Sequence, residues 1–355
     1  MTKQLRATMF AVCAVFSLFP VSAQMSGIGS LLSGSTKDGE LIMQEYLKPY
    51  ANAFGTNMNG GWYNTAKNHK LLGFDLTFSV STTFIPKADK EFDASTLGLS
   101  VGKNNISAGM SPTIAGSKTA GQTISYDIAG RSLSYQLPKG TNWGVIPSPM
   151  IQLGIGLVKE TDLMFRFVPS MNVGDYGKFG LWGIGAKHSI KQYIPGIKMA
   201  PFFHLSVFLG YTKMKTTSDI SIQPQFYDDF MSPAPTKAPG NYDNQQMEMT
   251  INGFTGSAIA SFDLPVVTFY GSLGFSNTSA KISMNGNYPL PTVNGTNVTI
   301  NPVADPVSFK ISNSSGMKPR LNAGIKFKMA VITWHVDYTY AKYSVLTTGL
   351  GLSFR

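Results

Sequence analysis

Cysteine is all but missing from this sequence. The chain of 355 residues carries one, Cys13, inside an N-terminal stretch that reads as an export signal. A mature chain without it has no disulfide, no thiol nucleophile and no Cys-ligated metal. Charge is scarce too, at 14%, against about 25% in an ordinary soluble domain. Disorder is excluded, because disordered chains are rich in charge and poor in aromatics, whereas 12% of this chain is Phe, Trp or Tyr. Also lacking, past the N-terminus, is any run of the ~20 apolar residues that a membrane-spanning helix needs. What remains is a class in which apolar and polar residues alternate so finely that mean hydropathy cancels to +0.01.

Residues 1–23 have the marks of a cleaved signal peptide. Lys3 and Arg6 make a basic start, Met9 to Phe19 is apolar, and Val21-Ser22-Ala23 offers small residues before Gln24. Cys13 follows Val12, which is not the small-residue context of a lipid anchor. The formal charge is +10, from 29 basic and 19 acidic residues, and Lys3 and Arg6 account for two of it. The basic residues are scattered, without zinc-finger spacing or a basic helix, so nucleic acid is not an expected partner. The charge reads instead as a surface or lumen that favours anions, acidic lipid head groups included.

Residues 24–72 form an N-terminal helical or plug segment in this reading. Asp38-Gly39-Glu40 could open a helix, and Leu41, Ile42, Tyr46, Leu47 and Tyr50 share one face. Pro49 is expected to limit or kink it, and Asn59-Gly60-Gly61 ends it before Trp62-Tyr63.

From Gly73 to the C-terminus the period is two. Phe74, Leu76, Phe78 and Val80 alternate with Asp75, Thr77, Ser79 and Ser81, over about the 9–11 residues of a tilted transmembrane strand. Similar runs recur at 151–157, 163–168, 178–190, 203–211, 247–262, 267–275, 321–327, 332–339 and 347–354. In the run at 247–262 the apolar parity slips from Ile251 to Phe254 across Gly253, as a β-bulge would make it. Ten strands are thus expected in 73–355. Two more can be drawn at Ile124–Ile128 and Leu133–Leu137, so 12–14 strands stay open beside a hairpin within a loop. Short connections alternate with long ones, as in outer-membrane barrels. The expected fold is an all-β, antiparallel transmembrane barrel, closed by pairing the strand at Phe74 with the strand ending at Phe354. Closure is what satisfies every backbone group in hydrocarbon.

The signal, the ten alternating runs and the terminal Phe354-Arg355 together resemble Gram-negative outer-membrane β-barrels. The segments Pro149 to Leu157 and Lys159 to Pro169 look like an uncharacterised family of such barrels, one that implies no activity. The resemblance implies that Phe354 belongs to the recognition signal of the barrel-assembly machinery, although Arg355 departs from the usual terminal aromatic. A second resemblance, carried by Ser26 to Tyr63, is to the long-chain fatty-acid transporter family, whose N-terminal helical segment plugs the barrel. The Asn-Pro-Ala motif of that plug is missing. The sole Asn-Pro pair, Asn301-Pro302, lies in a late loop.

Candidate residues follow from parity. Asp75, Arg166, His204, Lys326, His335 and Asp337 are lumen-facing polar candidates. Tyr46, Tyr50, Trp62 and Tyr63 are plug candidates. Trp182, Tyr211, Trp334, Tyr338 and Tyr343 are candidates for the aromatic girdles. His335 and Asp337 could be drawn as a hydrolase pair, yet no nucleophile elbow or zinc-protease motif accompanies them. No cofactor, metal site or catalytic residue is assigned. If the lumen is open, its cations bias it toward anions; if it is plugged, they pair with the plug. The expected function is a plugged or narrowly gated passive channel for a small hydrophobic or anionic solute. The alternative is a structural or accessory barrel that binds partner proteins through its long loops or N-terminal segment. Outer-membrane lipid and lipopolysaccharide are the expected surroundings.

Overall fold

A computed structural model describes residues 31–32, 35–172, 177–228, 231–232, 234–294, 297–312 and 316–354. The signal-peptide reading, Cys13 and Arg355 lie outside the described residues. Ten strands, β1 (Phe74–Phe84), β2 (Val145–Leu157), β3 (Thr161–Asn172), β4 (Lys178–Ser189), β5 (Phe203–Asp219), β6 (Gln246–Asp263), β7 (Val267–Asn285), β8 (Lys318–Met329), β9 (Ile332–Tyr340) and β10 (Ser344–Phe354), pair in an antiparallel ring. β1 and β10 close it in continuous register from Phe74↔Phe354 to Phe84↔Ser344. No helix among the described residues is long and apolar enough to cross a membrane; strands do the crossing.

The alternation sets the two faces of the wall. On β1, Thr77, Ser79, Ser81 and Thr83 are buried inside, while Phe74 and Leu76 are exposed outside. Leu153, Phe165, Ile184, Leu209, Phe269 and Leu350 extend the apolar outer band around the ring. Four connections, 158–160, 190–202, 264–266 and 330–331, share one end with Phe74 and Phe354. We call it the turn end. The long connections 85–144, 220–245 and 286–317 share the other, the loop end.

The doubtful segments at 123–136 resolve as a hairpin. Thr123–Ile128 and Arg131–Gln136 pair with each other and with Met231–Ser232, away from the barrel. They take no part in the ring, which excludes a count of 12–14. A second hairpin, Asn287–Asn294 with Asn297–Ala304, pairs with Thr236–Lys237. These small sheets form a cap over the loop end, and its apolar residues share one core with helix α1 (Thr36–Asn59) and the inner faces of the barrel strands.

Two expectations need correction. β6 pairs with both neighbours without a register shift, so there is no bulge at Gly253. The parity slip has another cause. Residues 247, 249 and 251 point inward against the apolar core under the cap, whereas Phe254, Ala258 and Phe262 point outward. The strand keeps its pleat and the environment changes sides. The bulge that does occur lies in β3, between Val168 and Met171. The second correction is Pro49. Helix α1 runs from Thr36 to Asn59 with Pro49 inside it, so the proline does not end the helix.

Candidate functional site: the filled lumen

Helix α1 starts among the loop-end sheets and descends into the barrel. The Asp38 carboxylate accepts bonds from the Ser100 amide at 2.9 Å and from the Tyr126 hydroxyl at 3.0 Å. Burial, then the neighbouring Tyr135 and Asp38, push the Tyr126 phenol far above its ordinary value. It therefore stays protonated as a donor. Ile42, Met43 and Leu47 share one apolar core with Ile124, Leu133 and Tyr288 of the cap. Tyr46 donates to the Lys139 carbonyl at 2.9 Å, and Tyr50 bonds Thr141 at 2.8 Å. Lower down, Asn57 donates to the Ile146 carbonyl at 2.7 Å and receives a bond from Thr83 at 2.6 Å. Gly55 is required where it stands, since a Cβ would lie 1.9 Å from Thr278 Cγ2 on β7.

A helix ends with carbonyls that have no internal partner, and that end carries the negative pole of its dipole. Helix α1 has no basic residue in its own last turn; the barrel wall supplies the cations. Arg166 on β3 donates to the carbonyls of Met58 at 3.0 Å and Gly60 at 2.8 Å, and to Gln152 at 2.9 Å. Its guanidinium stacks 3.8 Å from the Trp62 ring centroid. Arg320 on β8 donates to the Asn59 carbonyl and to Thr255. Two fully desolvated guanidinium groups thus cap the end of α1 inside the lumen.

Below the helix, residues 60–73 run without regular secondary structure toward the turn end. Trp62 packs on Phe208 with ring centroids 5.3 Å apart. The wall makes room by omitting side chains: a Cβ on Gly183, Gly185 or Gly210 would meet the Trp62 ring at 3.0–3.2 Å. Tyr63 bonds Ser272 at 2.6 Å, and Lys326 donates to Asn64 at 2.8 Å. Lys187 donates to the carbonyls of Thr65 and Lys67. At the bottom His69 sits between two carboxylates, with Asp162 at 3.1 Å and Asp75 at 3.4 Å, while Lys187 lies 3.1 Å from Asp162.

The parity candidates divide between these sites. Arg166, Lys326 and Asp75 touch the threaded segment. Asp337 is buried on the wall and accepts from Asn322 at 2.7 Å and Tyr270 at 3.0 Å. His335 is buried two residues away but lies against Gly349. Its ring nitrogens have no hydrogen-bond partner among the described residues, so it makes no His–Asp pair with Asp337. His204 lies near the turn end, 4.0 Å from Asp263. Three residues of the bottom cluster, His69, Asp162 and Lys187, were not brought together by sequence reasoning. Asp162 lies at a turn in the pattern and His69 before the first strand, and only the closed ring joins them.

Outside, Trp182 and Tyr211 meet at a tilt with ring centroids 5.6 Å apart, Trp334 stacks on Phe327 at 5.5 Å, and Tyr338 bonds Ser344. Phe354 stacks on Phe74 at 4.9 Å across the closing seam. Tyr343 departs from the girdle expectation. It is 2% exposed and turned inward, where it donates to Asp89 and lies 3.5 Å from Asn52. The turn between β9 and β10 rises into the cap, where an inward tyrosine packs on protein.

Closed antiparallel strands, an apolar outer band, sorted loops and a polar interior define a β-barrel of the outer-membrane type. Within that class the chain belongs to a family of unknown function, DUF6588, whose model matches residues 1–354. No curated protein matches it in sequence. Among solved structures it is similar to Ail, the attachment invasion locus protein of Yersinia pestis, at 8% identity and TM-score 0.27, covering 80% of this chain and 99% of that one. It is also similar to the transport unit of the Escherichia coli autotransporter AIDA-I, at 9% identity and TM-score 0.30, covering 88% and 98%. The Ralstonia pickettii toluene transporter TbuX matches at 8% identity and TM-score 0.21, covering 81% and 90%.

Proposed function

We propose that this protein is a constitutively closed outer-membrane anchor whose working surface is the loop-end cap, a platform for binding partners outside the cell. One observation carries the reading: helix α1 belongs at once to the cap core and to the lumen filling. Pulling it out would open the cap core and strip Arg166 and Arg320 of their carbonyl partners. Leaving a buried charge without its partner costs about 3–5 kcal/mol. A segment held this way is part of the fold rather than a stopper that diffuses aside. Long loops on a rigid scaffold are where binding surfaces are usually built. Export by a cleaved signal and assembly through Phe354 belong to the same proposal.

A second reading, the gated passive channel, draws on the lower segment. Residues 64–69 are held mostly by hydrogen bonds and ion pairs, which exchange with water more readily than apolar packing does. Local displacement there would expose Lys187 and Lys326, whose partners are Asn64, Thr65 and Lys67, a lining suited to a small anion. Planar-bilayer recording of the full-length chain separates the two. The closed anchor gives no unitary conductance, while an Arg166→Ala/Arg320→Ala variant conducts. Steps in the wild type that vanish when a Thr65→Cys/Ser261→Cys disulfide ties segment to wall would overturn the anchor in favour of the channel.

A further inference from the structure

On the outer face of β5 the side chains change character abruptly. Leu205, Val207, Leu209 and Tyr211 are apolar, and the next outward positions are Lys213 and Lys215. Across the pairing, Lys213 lies opposite Trp182, Lys215 opposite Gly180, and Thr217 opposite Lys178. Three lysines thus gather just beyond the Trp182–Tyr211 aromatic pair, on the loop-end side of the apolar band. Aromatic belts of this kind mark the level of lipid head groups.

The lysines rim a groove of about 530 Å³ whose walls include Phe167, Ser170, Gly180 and Trp182. Two backbone features open it. Gly180 presents no side chain, and the register shift in β3 between Val168 and Met171 sets the small Ser170 beside it. The groove is apolar toward the membrane centre and cationic toward the loop end. Acidic compensation is partial: Glu248 pairs with Lys215 at 2.8 Å, and Asp219 is engaged by Gln246 at 2.9 Å. Lys178 and Lys213 make no ion pair among the described residues.

We infer that this groove is a binding site for a phosphate-bearing lipid of the outer leaflet, its phosphates held by Lys178, Lys213 and Lys215 and an acyl chain lying along Phe167 and Trp182. A lysine ammonium recognises phosphate as a point charge, and clustered lysines at a membrane surface attract anionic head groups. The chemistry asked of the ligand is two-sided, an anionic head joined directly to a hydrocarbon chain. A free phosphate would use only the rim. The site depends on the barrel and its orientation and not on what the cap binds.

The test uses the full-length protein in zwitterionic detergent, with lipid retention counted by native mass spectrometry. The probes are a bis-phosphorylated glucosamine acyl lipid and its dephosphorylated form. Wild type should retain one phosphorylated molecule at least tenfold better than the dephosphorylated one. Lys178→Gln/Lys213→Gln should abolish that preference, while Lys281→Gln/Lys310→Gln, which changes an outward pair opposed across β7 and 307–312, should keep it. Heat-modifiable gel mobility checks that each variant is folded. Equal retention of both lipids by wild type, equal losses in both variants, or retention of inorganic phosphate alone with no lipid would each overturn the assignment.

Discussion

The two halves of β5, β6 and β7 are built on the same pleat and are turned inside out with respect to each other. Toward the turn end their outer faces carry Leu209, Phe262 and Phe269, and their inner faces carry Ser206, Ser261 and Ser272. Toward the loop end the inner faces carry Met214, Ile251 and Ile282, and the outer faces carry Lys213, Lys215 and Lys281. These strands are 17, 18 and 19 residues long, well beyond the 9–11 that a membrane requires. The excess rises into water, where the rule is apolar inside, so hydrocarbon leaves off where the pattern flips. Each half fills its interior differently. The upper one packs α1 into an apolar core, and the lower one threads residues 60–73 among buried polar groups. Burial in the upper half is non-directional and tolerates reshaping. The lower half is directional, so an unmade bond there leaves a desolvated group exposed to its full penalty.

The sharpest way to break this contrast is Arg166→Ala. It removes two charged bonds to carbonyls, each worth about 1.5–3 kcal/mol, and a desolvated cation–π contact worth about 2 kcal/mol. Because these terms overlap, the expected loss is about 4 kcal/mol in urea unfolding, with Trp62 fluorescence shifting first and cap proteolysis unchanged. Ile42→Ala probes the upper half. A cavity in an apolar core costs about 2–5 kcal/mol, here about 3. The cap should become protease-sensitive while the lower segment stays closed to ions. Equal responses of both probes to both variants would mean a single cooperative interior and would dissolve the comparison. Gly210→Val comes next. Its side chain collides with Phe208 and Trp62, and overpacking costs about 1–3 kcal/mol. A companion Trp62→Leu should restore much of that loss.

The membrane-spanning half was legible in the sequence because its signal is periodic and repeated. Strand existence, the outward faces and the Phe74–Phe354 closure all follow from alternation. The helix was legible as amphipathic, since Ile42, Tyr46, Leu47 and Tyr50 lie on one face. What alternation could not convey is where an apolar face points. The slip at Gly253 has the form of a bulge and is in fact a change of surroundings. The lumenal cations were visible as inward residues, yet their partners are main-chain carbonyls of Met58, Asn59 and Gly60, which have no sequence signature. The bottom cluster joins His69 to Asp162 over a separation that only barrel closure spans. Tyr343 misled because a short turn beside the membrane and a short turn lifted into the cap share one pattern.

The smallest effect is the most selective test of the upper half. Tyr126→Phe deletes one bond to Asp38, which keeps the Ser100 amide and hydroxyl, so about 1 kcal/mol is expected at neutral pH. Its pH dependence has a definite sign. Burial raises the folded pKa of Tyr126 above the unfolded value, so the tyrosine's contribution is complete below about pH 10. Above that the unfolded chain ionises first, and the contribution falls as pH rises. Phenylalanine has no such loss. The gap between wild type and Tyr126→Phe should therefore narrow above pH 10 and then reverse, as read by cap proteolysis together with tyrosinate absorbance. A gap that stays constant would mean that Tyr126 is solvated in the folded cap, and the upper half would then not be the dry core on which the contrast depends.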